Sequence, residues 1–280
     1  MITINAAHSV PLNVPALIGV SGAVQRIWLD IRDAARTRTG VVVYGETGCG
    51  KEVVARLVHA LSTRQSQPFI AVPCDGVPDS LFYSELFGHS RGSFKGAFRH
   101  KTGVATTADG GTVLLDLVDG MSASMQAAVA DFAESGEVQP LGASTYSHVD
   151  VRLLATTGRD LRALVARRQF SQDLFTELGS KEIYVPPLRE RRQYILPLIH
   201  HYLMVCSERH NLPVPELATD AEASLCEYRW PGNARQLKNV AERIAVRQRG
   251  QRITARDLPV EMMSGSGATK AVNTYSLPNS

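Results

Sequence analysis

Residues 45–51, "GETGCGK", set a glycine-rich turn and a lysine between an apolar run, "VVVY" (41–44), and an amphipathic stretch, "KEVVARLVHALS" (51–62). This is the GxxxxGK pattern in the strand–turn–helix context it needs. Such a turn points backbone N–H groups at an anion, the helix start adds its positive dipole end, and the lysine reaches the outer phosphates. Gly45, Glu46, Thr47, Gly48, Cys49, Gly50, Lys51 and Glu52 are therefore the candidate contacts to a nucleotide, ATP or ADP with Mg2+. A serine or threonine usually follows the lysine and touches the magnesium; here Glu52 stands there. Cys49 reads as a small residue filling a tight turn. The second part of the chemistry lies further along. "TVLLD" (112–116) reads as a buried strand ending in Asp116, and an acid at that end of a core strand is placed to hold magnesium. In a nucleotide hydrolase a second acid, which activates water, usually follows. Here the next residue is Leu117.

The elements that must position these groups are legible from periodicity. "VVVY", "FIAV" (69–72), "TVLLD" and "VRLLATT" (151–157) are short, β-branched or aliphatic runs, hence buried strands. Between them lie helical patterns. In residues 122–136, Met125, Val129 and Phe132 share a face, Ser122 is the N-cap and Gly136 the stop. Strands alternating with helices predict a parallel sheet covered on both faces. "PPLRERR" (186–192) breaks this pattern, and beyond it no strand signal is visible. Ile195, Leu198, Ile199, Tyr202 and Leu203 form a helical stripe, and "WPGNARQLKNVAERIAV" (230–246) starts a further helix after a Pro-Gly turn. The expected division is an N-terminal extension (1–14), an α/β core (15–186), a helical lid (187–262) and a disordered polar tail (263–280). The 280 residues suffice for a large domain with a smaller one, and the formal charge of +3 is too weak to argue for nucleic acid. No apolar run approaches the ~20 residues that span a bilayer, no signal peptide is visible, and Cys49, Cys74, Cys206 and Cys226 form no CxxC pair. A cytoplasmic protein with reduced thiols and no membrane partner is expected. "RERRQ" (189–193) is read as the entry to the lid rather than a nucleic-acid patch, and His200-His201 as a helix surface rather than metal ligands.

Six ordered motifs, "GETGCGKE", "SELFGHSRGSFKGAF", "ADGGTVLLD", "VDVRLLATTGRDL", "VPPLRERR" and "WPGNARQLKNVAER", together give the chain a family likeness. It resembles the central ATPase domain of bacterial enhancer-binding proteins, the AAA+ activators of sigma-54 RNA polymerase, over about residues 15–260. The resemblance implies an AAA+ P-loop core with a parallel sheet, a C-terminal α-helical lid, and a nucleotide-driven ring that remodels sigma-54. Glu52 is normal for that family. Arg235 matches its nucleotide-touching lid arginine. Gly92, Ser93, Phe94, Lys95, Gly96 and Ala97 occupy its sigma-54 contact loop, GAFTGA, with Phe94 kept as the aromatic tip and Ser93 and Lys95 replacing Ala and Thr. Pro140 stands in an adjoining hairpin where a basic residue is usual.

The departures fall on the hydrolytic step. Leu117 replaces the water-polarising glutamate, and Pro73 replaces the asparagine that holds that glutamate between turnovers. Gly158 replaces an asparagine that senses the γ-phosphate; Ser171 and Glu177 replace arginines that reach into the neighbouring subunit's site. The residues that only bind, the P-loop, Lys51, Asp116 and Arg235, remain. The expectation is a nucleotide-binding, hydrolysis-deficient regulator that acts by contact with another enhancer-binding protein or with sigma-54 RNA polymerase, in a homo- or hetero-oligomer. The alternatives are an active ATPase that remodels sigma-54, and an AAA+ scaffold that no longer binds nucleotide. No receiver domain and no direct DNA-binding domain is expected within these residues.

Overall fold

The computed structural model describes residues 22–94, 96–179, 181–248 and 250–263. The expected extension (1–14), and all of the expected tail except Met263, lie outside them. The chain divides into two compact units.

The first contains residues 25–45 and 51–185. In chain order it holds α1 (Gly22–Ala35), β1 (Val41–Tyr44), α2 (Lys51–Ala60), β2 (Phe69–Pro73), α3 (Asp79–Leu86), β3 (Gly88–His89), β4 (Lys101–Thr102), α4 (Val104–Thr107), β5 (Thr112–Asp116), α5 (Ala123–Ser135), β6 (Glu137–Val138), β7 (Ser147–His148), β8 (Arg152–Thr157), α6 (Leu161–Ala166), α7 (Gln172–Leu178) and β9 (Glu182–Tyr184). Five strands form one sheet in the order β2-β5-β8-β1-β9, and every pairing is parallel. The four strands read from the sequence are all in it; β9, of three residues, was too short to show a pattern. Every residue of β1 and β8 is buried, which is why they read as unbroken apolar runs rather than alternating ones. Parallel pairing places the ends at Tyr44, Pro73, Asp116 and Thr157 on one edge of the sheet, where ligands of open α/β sheets bind. Phe82, Leu86, Val113, Leu115, Met125, Val129 and Phe132 form the core between sheet and helices. Ser122 caps α5 by accepting the Met125 N–H at 3.2 Å, and Gly136 ends it at φ 68°.

The second unit contains residues 46–50 and those from 186 on. It holds α8 (Ile195–His210), β10 (Glu216–Leu217), α9 (Thr219–Glu227), α10 (Asn233–Gln248), β11 (Arg252–Ile253) and α11 (Val260–Met263). Leu198, Ile199, Leu203 and Cys206 of α8 are buried, as are Leu237, Val240, Ala241 and Ile244 of α10. Trp230 is fully buried and donates its indole N–H to the Leu225 carbonyl at 2.8 Å, which fixes the turn into α10. One expectation is corrected: β10 and β11 make a small parallel pair in this helical unit. Two-residue strands carry no period, so no pattern could announce them. All four cysteines are free thiols, and no helix among the described residues is long and apolar enough to cross a membrane.

Candidate functional site

The first unit supplies the lysine and the acids. Lys51 opens α2 and is 7% exposed; its Nζ donates to the Gly45 carbonyl at 2.8 Å. Glu52, next to it, lies on the exposed face of α2 and pairs with Arg56 at 2.8 Å. At the end of β5 the half-buried Asp116 accepts the Thr156 hydroxyl through Oδ1. Thr156 Oγ1 in turn accepts the Leu117 N–H at 2.9 Å. Leu117 sits at φ 61°, ψ 58°, the left-handed region, which costs an L-residue with a bulky side chain about 1–2 kcal/mol. Pro73 pairs with Asp116 in register and has no N–H to offer.

The strand end holds a second acid that motif reasoning missed. Asp119 Oδ1 accepts the Thr157 hydroxyl at 2.8 Å and the Gly158 N–H at 3.1 Å. The signal in the sequence was "DLVDG", a carboxylate three residues after Asp116. At Gly158 itself a Cβ would meet nothing within 4 Å, so the backbone leaves room for a side chain there.

Ser171 and Glu177 mark the two ends of α7. Ser171 caps the helix, its Oγ accepting the Leu174 N–H at 3.3 Å, while its own N–H bonds the buried Gln126 side chain at 2.7 Å. Both residues line a groove of about 760 Å³ between α5 and α7, together with Asp131, Glu134 and Asp173. The face is therefore acidic; Arg168 is the one arginine lining it.

The second unit clamps the loop at 46–50. Arg189 grips Glu46 with both terminal guanidinium nitrogens, at 2.8 and 2.6 Å. The Asn233 amide donates to Glu46 at 3.2 Å and to the Thr47 carbonyl at 3.1 Å. Arg191, 2% exposed, donates to the Cys49 carbonyl at 2.6 Å, and burial depresses its pKa. Within "RERRQ", two arginines thus turn onto the loop rather than outward. The Arg235 N–H reaches the Gly48 carbonyl at 3.3 Å, and its side chain is exposed. Gly48, at φ +76°, has no room for a side chain: a Cβ would stand 2.4 Å from the Gly232 carbonyl oxygen. Gly50, at φ +104°, faces open space. Cys49 is buried, as a turn-filling residue should be.

The loop at 92–97 forms its own turn, Gly92 N–H to Ala97 carbonyl at 2.8 Å and Ala97 N–H to Phe94 carbonyl at 3.0 Å. Lys95 lies outside the described residues. Phe94 is 40% exposed, its ring edge-on to His89 at 5.0 Å. The loop is tied to the turn holding Pro140: Ser90 N–H donates to the Leu141 carbonyl at 2.9 Å, and Leu141 N–H to the Gly88 carbonyl at 3.0 Å. Phe98, not singled out from the sequence, is 84% exposed.

Two family descriptions match this chain, "Sigma-54 interaction domain" over residues 17–184 and "AAA+ ATPase lid domain" over residues 189–274. The chain belongs to the sigma-54 interaction domain family. Its sheet is an AAA+ core and its helical unit the lid. Among curated relatives, transcriptional regulatory protein ZraR of Escherichia coli K12 is 39% identical over 92% of this chain and 60% of its own length. Regulatory protein LuxO of Vibrio cholerae is 39% identical over 85% and 46%. The chain thus spans about half the length of the curated relatives it matches. NtrX of Brucella abortus, solved in complex with ADP, superposes with a TM-score of 0.81 at 30% identity, covering 90% of this chain and 57% of that one. NtrX was also solved in complex with ATP. By name ZraR is a transcriptional regulatory protein and LuxO a regulatory protein.

Proposed function

We propose that this sigma-54 interaction module binds ATP or ADP with Mg2+, does not hydrolyse it, and regulates transcription by protein contact, with sigma-54 RNA polymerase or an intact activator as partner. The observation that carries this reading is Leu117. The position that should hold the water-activating acid carries an alkyl side chain on a left-handed backbone, next to a carboxylate, Asp116, that is retained.

The groups that bind fit a nucleotide. Lys51 stands at the start of a ten-residue helix, whose positive end suits phosphate. Gly50 leaves open space beside the loop. Among the described residues no cluster of three or more His, Cys, Asp or Glu side chains could hold a metal alone. Magnesium keeps its waters and takes a carboxylate such as Asp116 plus phosphate oxygens. When bound, the metal neutralises phosphate charge. The solved NtrX complexes support the ligand class. The groups that would act on a transition state are replaced: Ser171 spends its hydroxyl on capping α7, and Glu177 would repel phosphates. Arginines in such roles are worth about 10³–10⁵ in rate.

The test is a pair of measurements on the purified chain and on Lys51→Ala. A Lys51-dependent thermal shift with Mg-nucleotide, and phosphate release no faster than that of Lys51→Ala, are expected. Lys51-dependent turnover overturns the reading, and no shift at millimolar nucleotide favours the scaffold. One observation favours the other alternative, an active ATPase: Asp119 keeps a carboxylate at the same strand end. If it serves as base, Asp119→Asn abolishes the Lys51-dependent turnover.

A further inference from the structure

The helical unit carries a concave surface that nucleotide chemistry does not use. The C-terminal half of α10, the turn at 255–257 and the start of α11 enclose a cavity of about 440 Å³. Arg243 and Arg247, one helical turn apart on α10, line it together with Arg256. All three are exposed, and among the described residues none has a side-chain hydrogen bond or ion pair. Two carboxylates, Asp257 and Glu261, share the lining with these three guanidiniums, so the wall keeps an excess of positive charge that attracts an anion.

The acids lining the cavity are fewer than its arginines. Asp257 accepts the Thr254 N–H and hydroxyl at 2.8 Å, and the Gln248 amide at 3.1 Å. Glu242 stands 3.9 Å from His210. Glu261 lies on the lining. Besides Gln248 and Pro259, the rest of the lining is aliphatic: Ile244 and Leu258 are each 3% exposed, while Val260 stands 75% exposed beside them.

This mixture decides the class of ligand. A nucleic-acid backbone would gain nothing from the apolar part of the lining. Residues 264–280 of the chain contain one lysine and no acid, so they lack the charge to neutralise the arginines. An acidic segment with a large apolar side chain satisfies both the guanidiniums and the lining. We propose that this cavity docks an acidic segment of a partner protein, its carboxylates on Arg243, Arg247 and Arg256 and its apolar anchor against Ile244, Leu258 and Val260.

The experiment is fluorescence anisotropy with the full chain and labelled probes. One probe is a peptide of about twelve residues with glutamates around a Leu-Phe pair; a second replaces each glutamate with lysine; a third is a single-stranded oligonucleotide of similar length. The acidic peptide should bind, more weakly at about 300 mM than at about 50 mM salt. Arg247→Glu with Arg256→Glu should weaken it at least about tenfold, equivalent to about 1.4 kcal/mol, with an unchanged melting temperature. Arg247→Lys with Arg256→Lys should keep most of the binding, and Val260→Asp should lose part of it. Failure of the acidic peptide to bind at millimolar concentration, equal binding by the charge-reversed variant, or preference for the oligonucleotide or the basic peptide overturns the proposal.

Discussion

At the scale of single residues, the candidate site keeps the groups that would bind a nucleotide and carries other residues where the family resemblance implies groups that act on it. Leu117 is the sharpest case, because its backbone already bends into the conformation of the strand end while its side chain has no acid–base chemistry. Leu117→Glu restores a carboxylate there, yet phosphate release is expected to stay at background. Ser171, Glu177 and Gly158 would still leave developing charge on the phosphates unstabilised. Lys51-dependent release by that single variant would show that Leu117 alone silences the site. Gly48→Ala is a second residue-scale test. Its Cβ would strain a φ of +76° and press on the Gly232 carbonyl oxygen 2.4 Å away, so a loss of about 2 kcal/mol or more is expected in the urea midpoint. The need for glycine at position 48 was legible in the motif, but as phosphate chemistry; the carbonyl that fills the space comes from residues far off in sequence. Glu46 was read as a nucleotide contact on the same grounds, and its carboxylate is held by Arg189 and Asn233. Asp119 was missed for the opposite reason. No motif names it, and only the fold brings it to the N–H of Gly158.

At the scale of elements, α2 is joined to β5 by His59. The imidazole is 7% exposed, bonds Thr112 Oγ1 at 2.9 Å and tilts against Phe69. Burial lowers its pKa. In the unfolded chain it titrates near about 6.5, so below that pH the unfolded state binds a proton that the folded state resists. Stability supplied by neutral His59 is therefore complete above about pH 6.5 and is lost as pH falls through the depressed folded value. His201 is shifted in the same direction by burial and shares the slope. His59→Gln should flatten the fall in urea midpoint between about pH 7.5 and 5.5; a slope equal to that of the unaltered chain would remove His59 from the account. The elements themselves were readable where burial is continuous, as in β1 and β8, or where a cap is explicit, as at Ser122. They were unreadable where they are two residues long, as in β10 and β11, because a pattern needs at least one full period.

At the scale of the whole molecule, the family resemblance implies head-to-tail subunits in which one gives the P-loop and the next gives arginines. A copy of this chain placed among intact activators would bring Leu117 to its own site and the acidic face of Ser171 and Glu177 to its neighbour's. Added to an intact activator from the same cell, it should lower that activator's ATPase rate. Ser171→Arg with Glu177→Arg should relieve part of the loss. No inhibition and no co-elution would remove mixed assembly. The change from alternating strands to helices after residue 185 is visible in the sequence, but the grouping of residues 46–50 with the residues from 186 on is not, since it comes with hydrogen bonds across more than a hundred residues of chain. That membership bears on dissection. A fragment beginning at residue 186 would keep Arg191 and Asn233 yet lack the Cys49 and Thr47 carbonyls they serve, and the loop that covers them. A donor that stays buried without its partner costs about 1–3 kcal/mol, and one opened to water loses the packing of the loop, either of which matters in a piece this small. Expressed alone, residues 186–263 should show helical circular dichroism but melt without a sharp transition. The lid would then be a module in sequence only, separable on paper and not by truncation.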